Sequence, residues 1–198
     1  MKIICVGQNY KNDAGVQLQE PTLSLKPDSA LLKGGKPFFI PDFASDFGFG
    51  VELVFHVCRL GKNISERFAH RYYDQVSLGL DLVSQDLLSK AKSEGLAWDL
   101  AKGFDGSAVL GDFISVADLN LDALRFRVAV NQTTVQRGNS SDMSWSIDQI
   151  IAYISQYYTL KIGDLIYTGA PEGLSQLAIG QQVEGYIEDK QVLNIDIR

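Results

Sequence analysis

Three ionisable residues stand where the surrounding sequence asks for core. Glu52 lies in FGFGVELVFHVC, Phe47 to Cys58, whose odd positions Phe47, Phe49, Val51, Leu53, Phe55 and Val57 are all apolar. That period of two describes a β-strand with one face in a hydrophobic core. Glu52 falls on the other face, two residues after Gly50, which has no side chain. Asp81 is embedded in LGLDLV, Leu78 to Val83, a setting that propensity and desolvation both disfavour for an acid. Lys102 sits in AKGFDG among small, apolar and glycine neighbours, unlike a solvated lysine. Two carboxylates with water can hold a hard divalent cation such as Mg²⁺, which would polarise a keto or enol oxygen. A buried ion pair between Lys102 and one of the acids, with no metal, fits the same residues. So does a plain carboxylate on a half-solvated strand for Glu52. No serine elbow, Walker loop, dinucleotide fingerprint or HExxH is present.

The elements that must position these residues are short and mostly extended. Ile3–Val6 reads as a buried strand closed by Gly7, Leu23–Lys26 as a strand ended by Pro27, and Phe38–Ile40 as another stopped by Pro41. Asn63 or Ser65 should cap a helix carrying Phe68, Ala69, Tyr72 and Val76, with His70 on its solvated side beside Arg67 and Arg71. Asp86 should cap a helix running to Glu94 and ended by Gly95. Leu124 to Val130 alternates cleanly and turns at Asn131-Gln132. Ser146 and Gln149 form a capping box for a helix whose buried stripe is Ile147, Ile150, Ile151, Ile154 and Tyr158. Leu165–Tyr167 empties into a Gly/Pro loop, Thr168–Gly173, and the last segment is a hairpin, Gln182–Ile187 with Val192–Ile197. The fold class is α+β and strand-rich, one domain over residues 1–198.

Composition narrows the partners. The 198 residues suffice for a core without disulfides, and 45% hydrophobic with 21% charged residues is ordinary for a globular protein. A net charge of −6 argues against a nucleic-acid surface or an anionic membrane as partner. Cys5 and Cys58, each in an apolar run, read as small core residues in a reducing compartment. The apolar run in MKIICVGQNY is too short for a signal or a membrane span, so a cytoplasmic protein is expected.

Several stretches together resemble, in order, motifs of the fumarylacetoacetate hydrolase family. They are VGQNY (6–10), LKPDSAL (25–31), VEL (51–53), GKNISE (61–66), LDLVSQDL (80–87), W-x-L-A-K-G-F-D (98–105), GNSSDM (138–143) and GD-x-I-Y-T-G-A-P-E-G (163–173). The short acylpyruvase-like and oxaloacetate-decarboxylase-like members are nearest in pattern. The resemblance implies a mixed β-sandwich roll with flanking helices, a homodimer, and a Mg²⁺- or Mn²⁺-dependent enzyme that hydrolyses, decarboxylates or isomerises a small β-diketo or 2-oxo acid. It makes Glu52 and Asp81 metal ligands, with Gly50 standing where a first ligand glutamate belongs. It makes Lys102 the lysine that reaches the substrate. Gln8 and Gln85 replace two substrate-binding arginines. Thr168 and Gly169 match a substrate loop whose second threonine is Ala170. Asp13 replaces the histidine of a water-activating pair, a base only if burial raises its pKa, and the paired glutamate is Val16. The departures cluster at positions that carry metal, base or substrate charge. Two functions therefore follow: an enzyme restricted to enolisation, tautomerisation or decarboxylation, which need no activated water, or a catalytically silent member that binds a ligand or a partner.

Overall fold

The computed structural model describes residues 1–10, 19–171 and 173–198. The chain opens with β1 (Ile3–Gly7) and β2 (Thr22–Lys26), a hairpin-like antiparallel pair in which Cys5 opposes Ser24 and Ile3 opposes Lys26. After Pro27 comes a single 3₁₀ turn and then β3 (Leu31–Lys33). β4 (Phe47–Val57) is the long strand that the alternation predicts. The expected helix after it shrinks to one turn, α1 (Glu66–Ala69), whose Ser65 N-cap makes no side-chain bond. The reason is pairing: β5 (Tyr73–Ser84) starts early to run antiparallel to the whole of β4, and Tyr73 and Val76 join that ladder instead of a helix.

α2 (Gln85–Glu94) follows, stopped by Gly95 in the left-handed region as expected. Its N-cap is Ser84, one strand end earlier than Asp86. The Asp86 carboxylate instead accepts from Ser84 Oγ and the Ser45 backbone N–H, bonds that hold it at about pKa 2. A one-turn helix, α3 (Asp99–Lys102), presents Lys102. β6 (Ala108–Leu110) and the two-residue β7 (Ile114–Ser115) complete this half.

β8 (Arg125–Val130) and β9 (Thr133–Asn139) form a hairpin whose turn residues Asn131 and Gln132 both take positive φ, as a primed turn requires. α4 (Ile147–Tyr157) begins with the complete Ser146–Gln149 capping box and buries Ile147, Ile150, Ile151 and Ile154. β10 (Leu165–Tyr167), β11 (Ser175–Gln176), β12 (Gln182–Ile187) and β13 (Lys190–Asp196) finish the chain. Phe38, expected within a strand, makes only a single bridge to Ile197.

Two sheets result. The larger is mixed, in the order β2-β1-β10-β4-β5-β6-β3, with β11 added to β4 and β7 to β5. The smaller is antiparallel, β13-β12-β8-β9. This strand-rich α+β architecture is the one expected. The main core lies between the sheets and under α4. It takes Phe49, Val51 and Leu53 from β4, Leu78, Leu80 and Leu82 from β5, and Phe126, Val128, Val183 and Ile195 from the smaller sheet. The opposite face of the large sheet carries a second, smaller cluster of Ile3, Cys5, Val54, Ala108, Leu165 and Tyr167. Glu52 alternates with Val54 on that face, so the unusual carboxylate points away from the main core, as its even position requires. Among the described residues no helix is long and apolar enough to cross a membrane.

Candidate active site

Antiparallel register builds the site. Glu52 of β4 stands opposite Gly79 of β5, and Gly50 stands opposite Asp81. Each carboxylate therefore faces a glycine, and the two acids lie diagonally on one face of the ladder. Gly79 has a packing reason as well. A Cβ there would come within 2.6 Å of the Tyr167 ring and 2.7 Å of Val54 Cγ2. The Tyr167 ring fills that space and donates from its hydroxyl to the Val109 carbonyl at 2.9 Å. Above the two acids opens a cleft of about 470 Å³, lined by Gln8, Glu52, Asp81, Lys102, Ala170 and Leu174 among others.

Glu52 is buried, and its Oε2 accepts the Gly169 backbone N–H at 2.8 Å. Gly169 reaches that position through a φ of +94°, where a Cβ would meet the Val6 carbonyl oxygen at 2.9 Å. The loop is fastened to β4 by Thr168, whose backbone N–H and hydroxyl both donate to the Leu53 carbonyl at 3.0 Å. Burial raises the Glu52 carboxyl to about 8 and the neighbouring Asp81 charge adds to the rise. Lys102, the Gly169 N–H and Lys26 act in the opposite direction.

Asp81 is held by two lysines. Its Oδ1 meets Lys26 Nζ at 2.6 Å and its Oδ2 meets Lys102 Nζ at 2.8 Å. Burial alone would raise this carboxyl, but the two ammonium groups win and keep it below the usual carboxylate range. For Lys102 burial pulls the other way, and contact with Asp81 outweighs it, so the ammonium holds its proton more tightly than a free lysine. Lys26 is the functional residue that sequence reasoning missed. It reads as the last residue of a strand before Pro27, yet it is buried and also donates to the Ser107 carbonyl at 2.6 Å and the Leu82 carbonyl at 3.2 Å. The sequence holds no local signal for this: it is the pairing of β2 with β1, Ser24 opposite Cys5 and Lys26 opposite Ile3, that places Lys26 beneath the cleft. Gln136 of the smaller sheet was also missed. Its Oε1 accepts from the Val51 N–H at 2.7 Å, and its Nε2 donates to the Pro171 and Gly173 carbonyls at 3.2 and 2.7 Å. It thus joins β4, the second sheet and the cleft loop.

The remaining expected positions distribute unevenly. Gln8, with a φ of +56°, lies at the cleft. Gln85 opens α2, donates to Asp46 Oδ1 at 2.9 Å, and is not among the cleft-lining residues. The Thr168 hydroxyl is engaged by the Leu53 carbonyl, and the contribution of Gly169 is its N–H. Asp13 and Val16 lie outside the described residues. Cys5 lines the cleft, but burial first of all pushes its thiol far up, which removes it as a nucleophile.

The Mg²⁺ or Mn²⁺ expected at Glu52 and Asp81 meets a donor set that does not suit it. Both Asp81 oxygens already touch ammonium groups, and one Glu52 oxygen takes a backbone N–H. At Gly50 there is no ligand, and the space above it is filled: a Cβ there would lie 2.6 Å from Ala170 Cβ. Among the described residues no three His, Cys, Asp or Glu side chains converge as a metal site needs. The arrangement offers instead a carboxyl group titrating near neutral pH beside a permanently charged ammonium, which suits proton transfer next to an oxyanion.

Comparison with known proteins gives these features a lineage. The model of the fumarylacetoacetate hydrolase C-terminal family matches residues 2–198. The chain is 35% identical over 191 residues to the mitochondrial oxaloacetate tautomerase FAHD1 of Rattus norvegicus, covering 94% of this chain and 86% of that protein. It is 34% identical to the oxaloacetate tautomerase YcgM of Escherichia coli K12, over 92% of this chain and 86% of that one. Among solved structures, the 2-hydroxyhepta-2,4-diene-1,7-dioate isomerase of Mycobacterium marinum superposes with a TM-score of 0.87 at 32% identity, over 99% of this chain and 73% of the other. The fumarylpyruvate hydrolase of Pseudomonas aeruginosa, solved with Mn²⁺ and pyruvate, superposes with a TM-score of 0.91 at 24% identity, over 100% and 89%, a likeness of fold. By family model, sequence and fold together, this chain belongs to the fumarylacetoacetate hydrolase family.

Proposed function

We propose that this protein interconverts the keto and enol forms of a small 2-oxo acid, using Glu52 to move the proton and Lys102 to hold the oxygen. The observation that carries this reading is the buried Glu52 carboxyl in the cleft, oriented by the Gly169 N–H and titrating at about 8. In the enolising direction the Glu52 carboxylate takes the C3 proton. The electron pair forms the C2–C3 double bond, and the C2 oxygen gains the negative charge. Lys102, whose side chain is 27% exposed toward the cleft, donates a hydrogen bond to that oxygen without giving up its proton. Glu52, now protonated, then delivers its proton to the oxygen. One residue thus serves both ends of the transfer, and the ammonium binds the enolate more strongly than the ketone, which is what lowers the barrier. No activated water enters, so the missing histidine–glutamate pair is no obstacle. The tautomerase names of the rat and E. coli relatives support the reaction class.

The test is exchange of the C3 hydrogens of a 2-oxo acid in D₂O, followed by proton NMR. Wild type should accelerate exchange, and Glu52→Gln, which keeps the shape and removes the base, should lower the rate by about 10²–10⁴-fold. Ligand-induced shifts with no exchange would favour the binding-protein reading, for which the fully paired Asp81 is the supporting observation.

A further inference from the structure

We propose that the missing ligand at Gly50, the Ala170 methyl packed over it and the engagement of both Asp81 oxygens by Lys26 and Lys102 together leave no place for a divalent cation, so that this cleft handles its anionic ligand with a fixed ammonium group and excludes metal. The role of Lys102 toward substrate rests on the enolisation reading; the exclusion of metal does not.

The two lysines are not equivalent. An ammonium group has three protons. Around Lys26 stand three oxygens: Asp81 Oδ1, the Ser107 carbonyl and the Leu82 carbonyl. Lys26 is also buried, so it has nothing left to offer a ligand and serves as a positioning residue that fixes Asp81. Lys102 meets Asp81 Oδ2, keeps part of its side chain exposed and lines the cleft, so it is the group that faces an incoming oxygen. Asp81 is the bridge between them, one oxygen for each cation.

Three features then act against a metal ion together. A dication ligated by Asp81 would have to displace an ammonium group and remain beside the other, a like-charge neighbour. At neutral pH the two ammonium groups already match or exceed the carboxylate charge, because Glu52 titrates only at about 8, and burying a further two positive charges would be unfavourable. The third requirement is space. Ala170 lies over Gly50 so closely that even a methyl group there would collide, and the adjoining Pro171 and Gly173 are held down by Gln136. Gly50, Ala170 and the lysine pair are therefore one arrangement: a small residue under a small residue closes the space for a ligand, and the ammonium groups supply the charge.

The experiment is titration of the full chain with Mn²⁺ alone, read by calorimetry and by the loss of free-Mn²⁺ EPR signal, on wild type, Lys102→Met and Lys102→Gln. We expect no saturable binding by wild type at millimolar Mn²⁺. We expect a gain of about tenfold or more in apparent affinity, equivalent to about 1.4 kcal/mol, when Lys102 loses its charge and frees Asp81 Oδ2. Near-UV circular dichroism identifies which of the two variants keeps the native fold. Saturable Mn²⁺ binding by wild type would overturn the proposal, and so would equal affinity in wild type and both folded variants. The D₂O exchange assay run in excess EDTA separates the two readings. EDTA-insensitive exchange supports both, and EDTA-sensitive exchange overturns metal exclusion while leaving enolisation standing. No exchange together with no Mn²⁺ binding supports metal exclusion and removes enolisation.

Discussion

Replacing Lys26 by methionine tests the least expected feature of the site. Methionine retains an unbranched stem of similar length and removes only the ammonium group. The Lys26 side chain is 1% exposed, so water does not replace what is lost. Asp81 Oδ1 has no hydrogen-bond partner beyond this ion pair among the described residues, and the Ser107 and Leu82 carbonyls lose their contacts at 2.6 and 3.2 Å. Removing one partner of a buried pair typically costs about 3–5 kcal/mol, and here, although Asp81 keeps Lys102 at 2.8 Å, its Oδ1 and two buried carbonyls lose their cation together. In a chain of this length each kcal/mol moves the melting temperature by roughly 2–4 °C, so the expected fall is roughly 6–20 °C. The assay is urea unfolding followed by tryptophan fluorescence, with Lys36→Met, an exposed lysine, as the control expected within about 0.5 kcal/mol of wild type. The pH dependence adds a second reading. Asp81 has a folded pKa below its unfolded value, so its stabilisation is present above the unfolded value of 3.8 and is lost as pH falls through the folded one. The gap between wild type and Lys26→Met should therefore narrow below about pH 4. A loss under about 1 kcal/mol at pH 7, or a gap that widens in acid, would refute the view that Lys26 holds a charged Asp81.

Glu52 should give the opposite pH signature. Its folded value of about 8 lies above the ordinary value of 4.5, so its contribution is full below 4.5 and is lost as pH rises to about 8. Unfolding free energy should decline across that window in wild type and decline less in Glu52→Gln, and the C3 exchange rate should climb over the same range to a plateau above about pH 8. Gly50→Ala should cost about 1–3 kcal/mol from its contact with Ala170, and Ala170→Gly in the same chain should recover most of that, both read by urea melts. Gln136→Leu leaves the Val51 N–H and two loop carbonyls without their partner. It should cost about 1–3 kcal/mol and raise amide exchange in residues 170–174, measured by mass spectrometry.

Much of this site was legible as local contradiction. Glu52 and Asp81 were visible because each interrupts an otherwise apolar strand, and for Glu52 the alternation also puts the side chain on the face away from the core; that Asp81 shares this face follows from the register of β4 with β5. Lys102 was visible through its small, glycine-flanked surroundings. Lys26 was not, because lysine before proline at a strand end is what an exposed strand terminus looks like. Only the non-local register of Ile3 with Lys26 and the carbonyls of Leu82 and Ser107 make that position interior. The same limit explains the misread helix after Asn63. Phe68, Ala69, Tyr72 and Val76 do recur at helical spacing, but the twelve-residue strand β5, laddered along the whole of β4, takes Tyr73 onward.

The glycines on this face carry more information than the charged residues do. Gly79 makes room for the Tyr167 ring beneath Glu52, and Gly50 makes room for Ala170 beside Asp81. The first is a packing position set by that ring and by Val54. The second determines what the carboxylates are for. A glutamate at Gly50 could add a ligand only if the Thr168–Gly173 loop moved, and that loop is fastened twice, by Thr168 to Leu53 and by Gln136 through Pro171 and Gly173. Gly50→Glu alone should therefore lower stability without creating Mn²⁺ affinity. A gain in affinity would require the loop to be freed as well, as in Gly50→Glu combined with Gln136→Leu. If the single change bound Mn²⁺ as well as the double one does, the loop would not be what closes the site, and the lysine pair, intact in that variant, would not be enough to exclude the ion.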